Sequence, residues 1–106
     1  MKTDNLIVYC TVPNEETALT LSRTIVSENL AACCNIIPGL RSIYSWNGEI
    51  CDDNELLLMM KTHADVYARL EERIRALHPY DVPEILAVAI NYGLTDYLKW
   101  VNDYVK

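Results

Sequence analysis

The residues best suited to chemistry in this sequence are one cysteine and one histidine that lie far apart in the chain, Cys10 and His78. A thiolate and an imidazole together are ligands for a soft or borderline ion such as Cu(I), Cu(II) or Zn(II). Two ligands do not close a metal site, and a buried cysteine with a histidine that ends a helix is the alternative. The pair leaves both interpretations open, a copper or zinc site and a structural role.

The other metal-binding residue types form weaker patterns. The sequence has four cysteines, at Cys10, Cys33, Cys34 and Cys51. They contain no C-x-x-C spacing, so neither a zinc knuckle nor a thioredoxin-type redox pair is predicted. An acidic cluster consists of Glu49, Asp52, Asp53 and Glu55. Its carboxylates could bind a hard cation, but a solvated cluster near a hairpin tip is the preferred interpretation.

A catalytic function is not favoured by the residues around His78. The histidine could form a dyad with Asp81 or Glu84, but no nucleophile with an activating partner accompanies it. Small enzymes of the acylphosphatase kind need a phosphate-binding loop with glycine and arginine after the first strand. Residues 11–14 contain neither residue type. We therefore predict a protein that is not an enzyme.

Composition predicts one packed domain over residues 1–106, because 51% of the residues are hydrophobic and only 3 are glycine. The formal charge of −6 argues against nucleic acid and anionic membranes as partners. The first 12 residues lack the pattern of a signal peptide, and no apolar run is long enough to span a bilayer. We therefore expect a cytoplasmic protein.

The elements that position Cys10 and His78 can be read from local signals. An apolar strand over residues 6–12 carries Cys10 near its end, and a helix begins after Asn14, a typical N-cap. A second helix over residues 65–77 ends at His78, because Pro79 follows. The stiff segment 78–83 leads into a strand over residues 84–91. We expect this strand not to neighbour the first, so that the two residues meet only through loops or another protomer.

Between these elements lies one long hairpin over residues 31–62. Its turn is Asn47–Gly48, the strongest short hairpin signal, and Pro38–Gly39 predicts a bulge or a bend in the first arm. Arms of about a dozen residues exceed the usual strand length. Part of the hairpin is therefore expected to project beyond one protomer.

The predicted order is β-α-β-β-α-β with an added C-terminal helix from Thr95, which is an α+β fold of the ferredoxin-like type. In that fold both main helices cover one face of an antiparallel sheet and leave the other face open. Self-association is the natural way to bury the open face and the long hairpin.

Several motifs in order along the chain carry a resemblance to a known family. They are YCTVPNE (9–15), LAAC (30–33), NIIPG (35–39), SIYSWNG (42–48), KT (61–62), HPYDVPEI (78–85) and YLKW (97–100). Together they resemble the CutA divalent-cation-tolerance family over nearly the whole sequence. The resemblance implies a ferredoxin-like homotrimer with a PII-like architecture and a role in tolerance of copper and other divalent cations.

The resemblance also implies site residues. The family's proposed copper ligands fall on Cys10 and His78, whereas the second histidine of some members is replaced here by Leu77. The alternative function is a PII-like signalling or interaction module, in which clefts between protomers bind a small molecule or a partner protein. Candidates for such a cleft combine aromatic surface with charge and are Tyr44, Trp46, Lys61, Tyr80, Glu84 and Trp100. Packing between protomers is the other role open to them.

Overall fold

The computed structural model describes residues 3–106, so residues 1 and 2 of the predicted domain lie outside the described residues. Four antiparallel strands form one sheet in the order β2-β3-β1-β4. The strands are β1 (Asn5–Val12), β2 (Cys33–Trp46), β3 (Glu49–His63) and β4 (Ile85–Ala89), and the helices are α1 (Glu15–Ser27), α2 (Tyr67–Leu77) and α3 (Thr95–Tyr104). A short 3-10 turn over Ala64–Val66 precedes α2. This order confirms the ferredoxin-like α+β fold with an added C-terminal helix.

The local signals that start and end the elements are confirmed. The Asn14 side chain accepts a hydrogen bond from the Thr17 backbone N–H at 2.8 Å and caps α1. Asn29 follows α1 with a φ of 62°, the left-handed conformation that commonly ends a helix. Asn47 and Gly48 have φ values of 50° and 78°, as a two-residue hairpin turn requires.

The position of the last strand differs from the expectation. β4 pairs directly with β1, from Leu6 opposite Ala89 to Cys10 opposite Ile85. The prediction that the first and last strands are not neighbours was therefore wrong. The crossover through α2 returns the chain to the free edge of β1, because β3 already occupies the other edge.

The hydrophobic core lies between one face of the sheet and the helices α1 and α2. Alternate residues of β1 and β3 face the helices, as the period of two in a strand requires. The fully buried side chains of this layer include Val8, Cys10, Val12, Leu58, Met60, Leu21, Ile25, Leu70 and Ile74. Among residues 3–106, no helix has the length and apolar character needed to cross a membrane.

The helix α3 covers one end of the opposite sheet face. The Asn5 side-chain amide donates to Asn102 Oδ1 at 2.8 Å, and the Cys33 thiol lies 3.7 Å from the Tyr97 hydroxyl. Farther along, Leu86 and Val88 of β4 keep 58% and 52% of their surface exposed. We call this sheet face, away from α3, the open face.

The hairpin arms are 14 and 15 residues long, so the molecule measures 44 Å along its longest axis and 25 Å across. The outer end carries apolar side chains that remain largely exposed. Ile43, Trp46 and Ile50 are 68%, 49% and 76% exposed. The hairpin therefore extends beyond the packed layers, as its length predicted.

A bulge at Pro38–Gly39 decides which side chains of β2 face the open side. Ile37 lies opposite Leu57, whereas Leu40 lies opposite Glu55, so β2 contains one extra residue between these pairs. An extra residue reverses the alternation of a strand. Beyond the bulge, Ser42 and Tyr44 consequently share the open face with Glu55.

Replacing Gly39 tests the bulge. Gly39 has a φ of 84°, which side-chain-bearing residues rarely adopt, and a Cβ there would meet open space. Gly39→Ala is expected to lower the free energy of unfolding by about 1 kcal/mol through backbone strain alone. Urea unfolding followed by tryptophan fluorescence at a fixed protein concentration measures this loss. Ser45→Ala is the control, and an equal loss in both variants would contradict the assignment.

Candidate functional site

The two predicted metal ligands come together at one backbone carbonyl. His78 Nε2 donates a hydrogen bond to the Thr11 carbonyl oxygen at 2.8 Å, and the Cys10 thiol lies 3.7 Å from the same oxygen. Cys10 and His78 are 0% and 7% exposed. The meeting occurs within one protomer, through the loop that follows α2, so of the two expected routes the loop is confirmed and a second protomer is not needed. Its physical reason is the direct pairing of β1 with β4, which returns the chain after α2 to β1.

The second ring nitrogen of His78 also has a partner. The Tyr80 backbone N–H donates to His78 Nδ1 at 3.1 Å. Since a carbonyl only accepts and a backbone N–H only donates, Nε2 carries the proton and Nδ1 offers its lone pair. The imidazole is therefore held as one neutral tautomer with both nitrogens in use.

The Cys10 thiol is not prepared for metal binding. Burial raises its pKa to about 12, and the negative charges of Glu84, Cys34 and Glu55 add to the increase. A thiolate is the form that binds metal, and this environment disfavours it. Among residues 3–106, no three His, Cys, Asp or Glu side chains are grouped to hold an ion. The residues as folded do not fit a copper centre, and copper binding by Cys10 and His78 stays a prediction.

Next to Cys10 and His78 lies a cleft of about 620 Å³ between the hairpin and the segment 80–84. Of the six residues predicted for a cleft, four line it: Tyr44, Trp46, Tyr80 and Glu84. The other two lie elsewhere. The Lys61 ammonium donates to the Asn35 side chain on the sheet, and the Trp100 ring packs between Tyr97 and Tyr104 on α3.

A buried carboxylate joins the two walls of the cleft. The Tyr80 hydroxyl donates to Glu55 Oε2 at 2.9 Å, and Glu55 is only 7% exposed. Burial and the Glu55 carboxylate raise the pKa of Tyr80 well above its usual range. The interpretation of the acidic cluster as wholly solvated was therefore wrong for Glu55. The alternation of β3 places Glu55 on the open face in line with Leu57, where Tyr80 covers it.

A second tyrosine is held by the neighbouring carboxylate. The Tyr44 hydroxyl donates to the Asp53 carboxylate, and this hydrogen bond is the main reason why the pKa of Tyr44 rises to about 12. On the other face of the hairpin, Arg41 forms a bidentate ion pair with Asp52 at 2.7 and 2.9 Å. The acidic cluster is thus divided between the two faces of the hairpin.

The carboxylates of the cleft that sequence reasoning missed are those of Glu55 and Asp81. Both line the cavity together with Glu84. Asp81 could have been predicted from its position in the sequence, since Asp81 lies between Tyr80 and Pro83 in the segment predicted to be stiff. The cleft wall thus contains three carboxylates and three aromatic rings, and none of its residues in the described chain is a lysine or arginine. In general, carboxylates attract cations by charge and aromatic rings attract them through their faces.

Alkylation tests the state of the Cys10 thiol. Folding raises the pKa from 9.0 to about 12, so very little thiolate exists at mildly alkaline pH and iodoacetamide should label Cys10 slowly. Cys51, which is half-buried on the hairpin, is the internal reference and is expected to react first. Peptide mapping of the folded protein measures both rates. In guanidinium chloride the two should react alike, and equal labelling of the folded chain would contradict the buried, protonated thiol.

Comparison with known proteins places this chain and its fold in one family. A family model described as CutA1 divalent ion tolerance protein matches residues 6–104. The divalent-cation tolerance protein CutA of Thermus thermophilus is 52% identical over 97 residues, which is 92% of this chain and 94% of that protein. A solved Thermus thermophilus structure superimposes with a TM-score of 0.94 at 49% identity, covering 96% of this chain and 99% of that one. The Xylella fastidiosa CutA structure has a TM-score of 0.96 at 38% identity and covers 98% of this chain and 100% of that one. The chain therefore belongs to the CutA1 divalent ion tolerance family.

Proposed function

We propose that this CutA1 family member is a non-enzymatic binding protein whose cleft holds a small organic cation. The observation that carries the proposal is the cleft wall, which combines the carboxylates of Glu55, Asp81 and Glu84 with three aromatic rings. The cytoplasmic location expected from the sequence stays a prediction. No reaction is proposed, because neither wall presents a nucleophile with an activating base.

The size of the cleft favours an organic molecule over a bare ion. Its volume of about 620 Å³ lies within the range of small-molecule sites, whereas a metal ion needs only its shell of ligands. An ammonium group is stabilised by both kinds of side chain in the wall, since it interacts with carboxylates by charge and with ring faces by the cation–π effect. The formal charge of −6 raises the local concentration of any cation.

Copper binding at Cys10 and His78 is the competing hypothesis from the sequence, and the proximity of the two side chains is its only support. Both side chains reach the same Thr11 carbonyl, so a soft and a borderline ligand are neighbours. A copper ion there would have to displace a hydrogen bond of His78 and the proton of the Cys10 thiol. The two candidates therefore predict different ligands and different residues.

We further propose that the protein is a homotrimer. Support comes from the apolar side chains that one chain leaves uncovered at two places. Ile43 and Ile50 lie at the outer hairpin, and Leu86 and Val88 lie on the open face. Exposed apolar surface of this kind is typical of contacts between copies of one chain. The cleft lies beside the hairpin, so a neighbouring chain would cover part of it.

Choline and its neutral isostere, 3,3-dimethylbutan-1-ol, test the cleft by isothermal titration calorimetry. The proposal predicts that choline binds about tenfold more tightly, because only choline carries the positive charge. Glu84→Gln is expected to weaken choline binding by about tenfold, since it removes a carboxylate from the wall. Glu16→Gln on the exposed surface of α1 is the matched control. Equal binding of the two compounds would contradict an organic-cation site.

Equilibrium dialysis with Cu(II), Cu(I) and Zn(II) tests the second candidate. A site at the predicted ligands requires affinity that falls in both Cys10→Ser and His78→Ala. A metal that binds equally to these variants would exclude the assignment. A thermal shift produced by metals and by no organic cation would favour the metal function over the cleft.

Light scattering at micromolar concentration tests the trimer. The expected mass is about three times the chain mass of 12.1 kDa. Val88→Glu places a charge on the open face and should lower the mass towards that of one chain. Leu19→Glu on α1, where Leu19 is 38% exposed, is the control and should leave the trimer intact. A wild-type monomer would contradict the proposal.

A further inference from the structure

We propose that His78 is a positioning residue that fastens the segment 78–84 to the end of β1, and that it does not act as a metal ligand. The segment forms one wall of the cleft, so the last step of this inference rests on the proposed function. The steps before it rest on the hydrogen bonds of His78 alone.

The first step concerns the end of the β1–β4 ladder. The last pair is Cys10 opposite Ile85, but β1 continues through Thr11 and Val12. Thr11 is 8% exposed, so its carbonyl oxygen needs a donor from the protein. His78 Nε2–H provides that donor at 2.8 Å. The side chain thus continues the link between β1 and the returning chain beyond the last backbone pair.

The second step concerns the turn after α2. Pro79 has no N–H, and Tyr80 is the next residue that can donate. Its backbone N–H reaches back to His78 Nδ1 at 3.1 Å, and the two rings lie 4.7 Å apart. His78 therefore fixes the direction in which the chain leaves the helix, and with it the direction of the Tyr80 side chain.

The third step connects the turn with the cleft. The Tyr80 hydroxyl reaches Glu55 on β3, so the line from Thr11 through His78 and Tyr80 ends at the opposite wall. The imidazole supplies a different nitrogen to each of its two backbone partners. Removing the imidazole leaves the Thr11 carbonyl and the Tyr80 N–H without these hydrogen-bond partners.

The same geometry argues against a ligand role. A metal bound at Nε2 would replace the proton and remove the hydrogen bond to the Thr11 carbonyl. A metal bound at Nδ1 would occupy the lone pair and remove the hydrogen bond from the Tyr80 N–H. Leu77 offers no substitute ligand, and the Cys10 thiol is fully buried. Metal binding would therefore disconnect the wall that His78 holds in place.

Nitrogen NMR of the His78 ring in the wild-type protein is the first test. The inference predicts the Nε2–H tautomer, with no change after addition of an equimolar amount of Zn(II) or Cu(I). A ring nitrogen that becomes metal-bound under these conditions would overturn it. This test needs no variant, so it does not depend on whether a substituted protein folds.

Three substitutions separate the two hydrogen bonds. The Asn side chain in His78→Asn has an oxygen near the place of Nδ1, so it retains an acceptor for the Tyr80 N–H. The Gln side chain in His78→Gln has an N–H donor that reaches towards Thr11, and His78→Ala has neither group. Hydrogen exchange of the Tyr80 amide should stay slow in His78→Asn and become fast in His78→Ala. Exchange of the Tyr80 amide that is equally slow in all variants would contradict the positioning role of His78.

Choline affinity tests the step that rests on the proposed function. His78→Ala should lose about tenfold in affinity, and His78→Asn and His78→Gln should each recover part of it. His63→Ala, at the N-cap of the 3-10 turn, is the matched histidine control and should bind as the wild type does. If the variants all bind choline equally, the positioning role is wrong. If the wild-type protein binds no choline but hydrogen exchange follows the predicted pattern, the proposed function is wrong and the positioning role of His78 is confirmed.

Discussion

β1 is longer than its neighbour β4, and this difference leaves the carbonyl of Thr11 buried beyond the last backbone pair of the two strands. A buried carbonyl oxygen needs a hydrogen-bond donor. His78, which directly follows α2, provides that donor. Because His78 is bonded there, it cannot turn freely, and Tyr80 is held by the same ring. The site therefore follows from a requirement of the backbone, which the side chains then satisfy.

The second constraint is the single extra residue at Pro38–Gly39. It reverses the alternation of β2, so Tyr44 lies on the same face as Glu55 and Asp53. Arg41 and Asp52 form an ion pair on the other face. One bulge thus separates an aromatic and acidic cleft from an ordinary charged surface.

Local signals in the sequence were sufficient for most of the fold. Asn14, Asn47 with Gly48, and Pro38 with Gly39 each act within a few residues, and the structure confirms all three features. The neighbours of a strand are decided by contacts far apart in sequence, which explains the wrong placement of the last strand beside β1. Glu55 was misjudged for the same reason, since its partner Tyr80 lies 25 residues away in the chain.

The site was only partly predictable. Cys10 and His78 were recognised by residue type, but residue type does not reveal that both ring nitrogens have backbone partners. Crystal structures of the protein soaked separately with copper and with choline test the central claim most directly. The account predicts that His78 keeps its bond to Thr11 in both crystals and that choline lies in the cleft. A copper ion bonded to the Cys10 sulfur and to a ring nitrogen of His78 would contradict it.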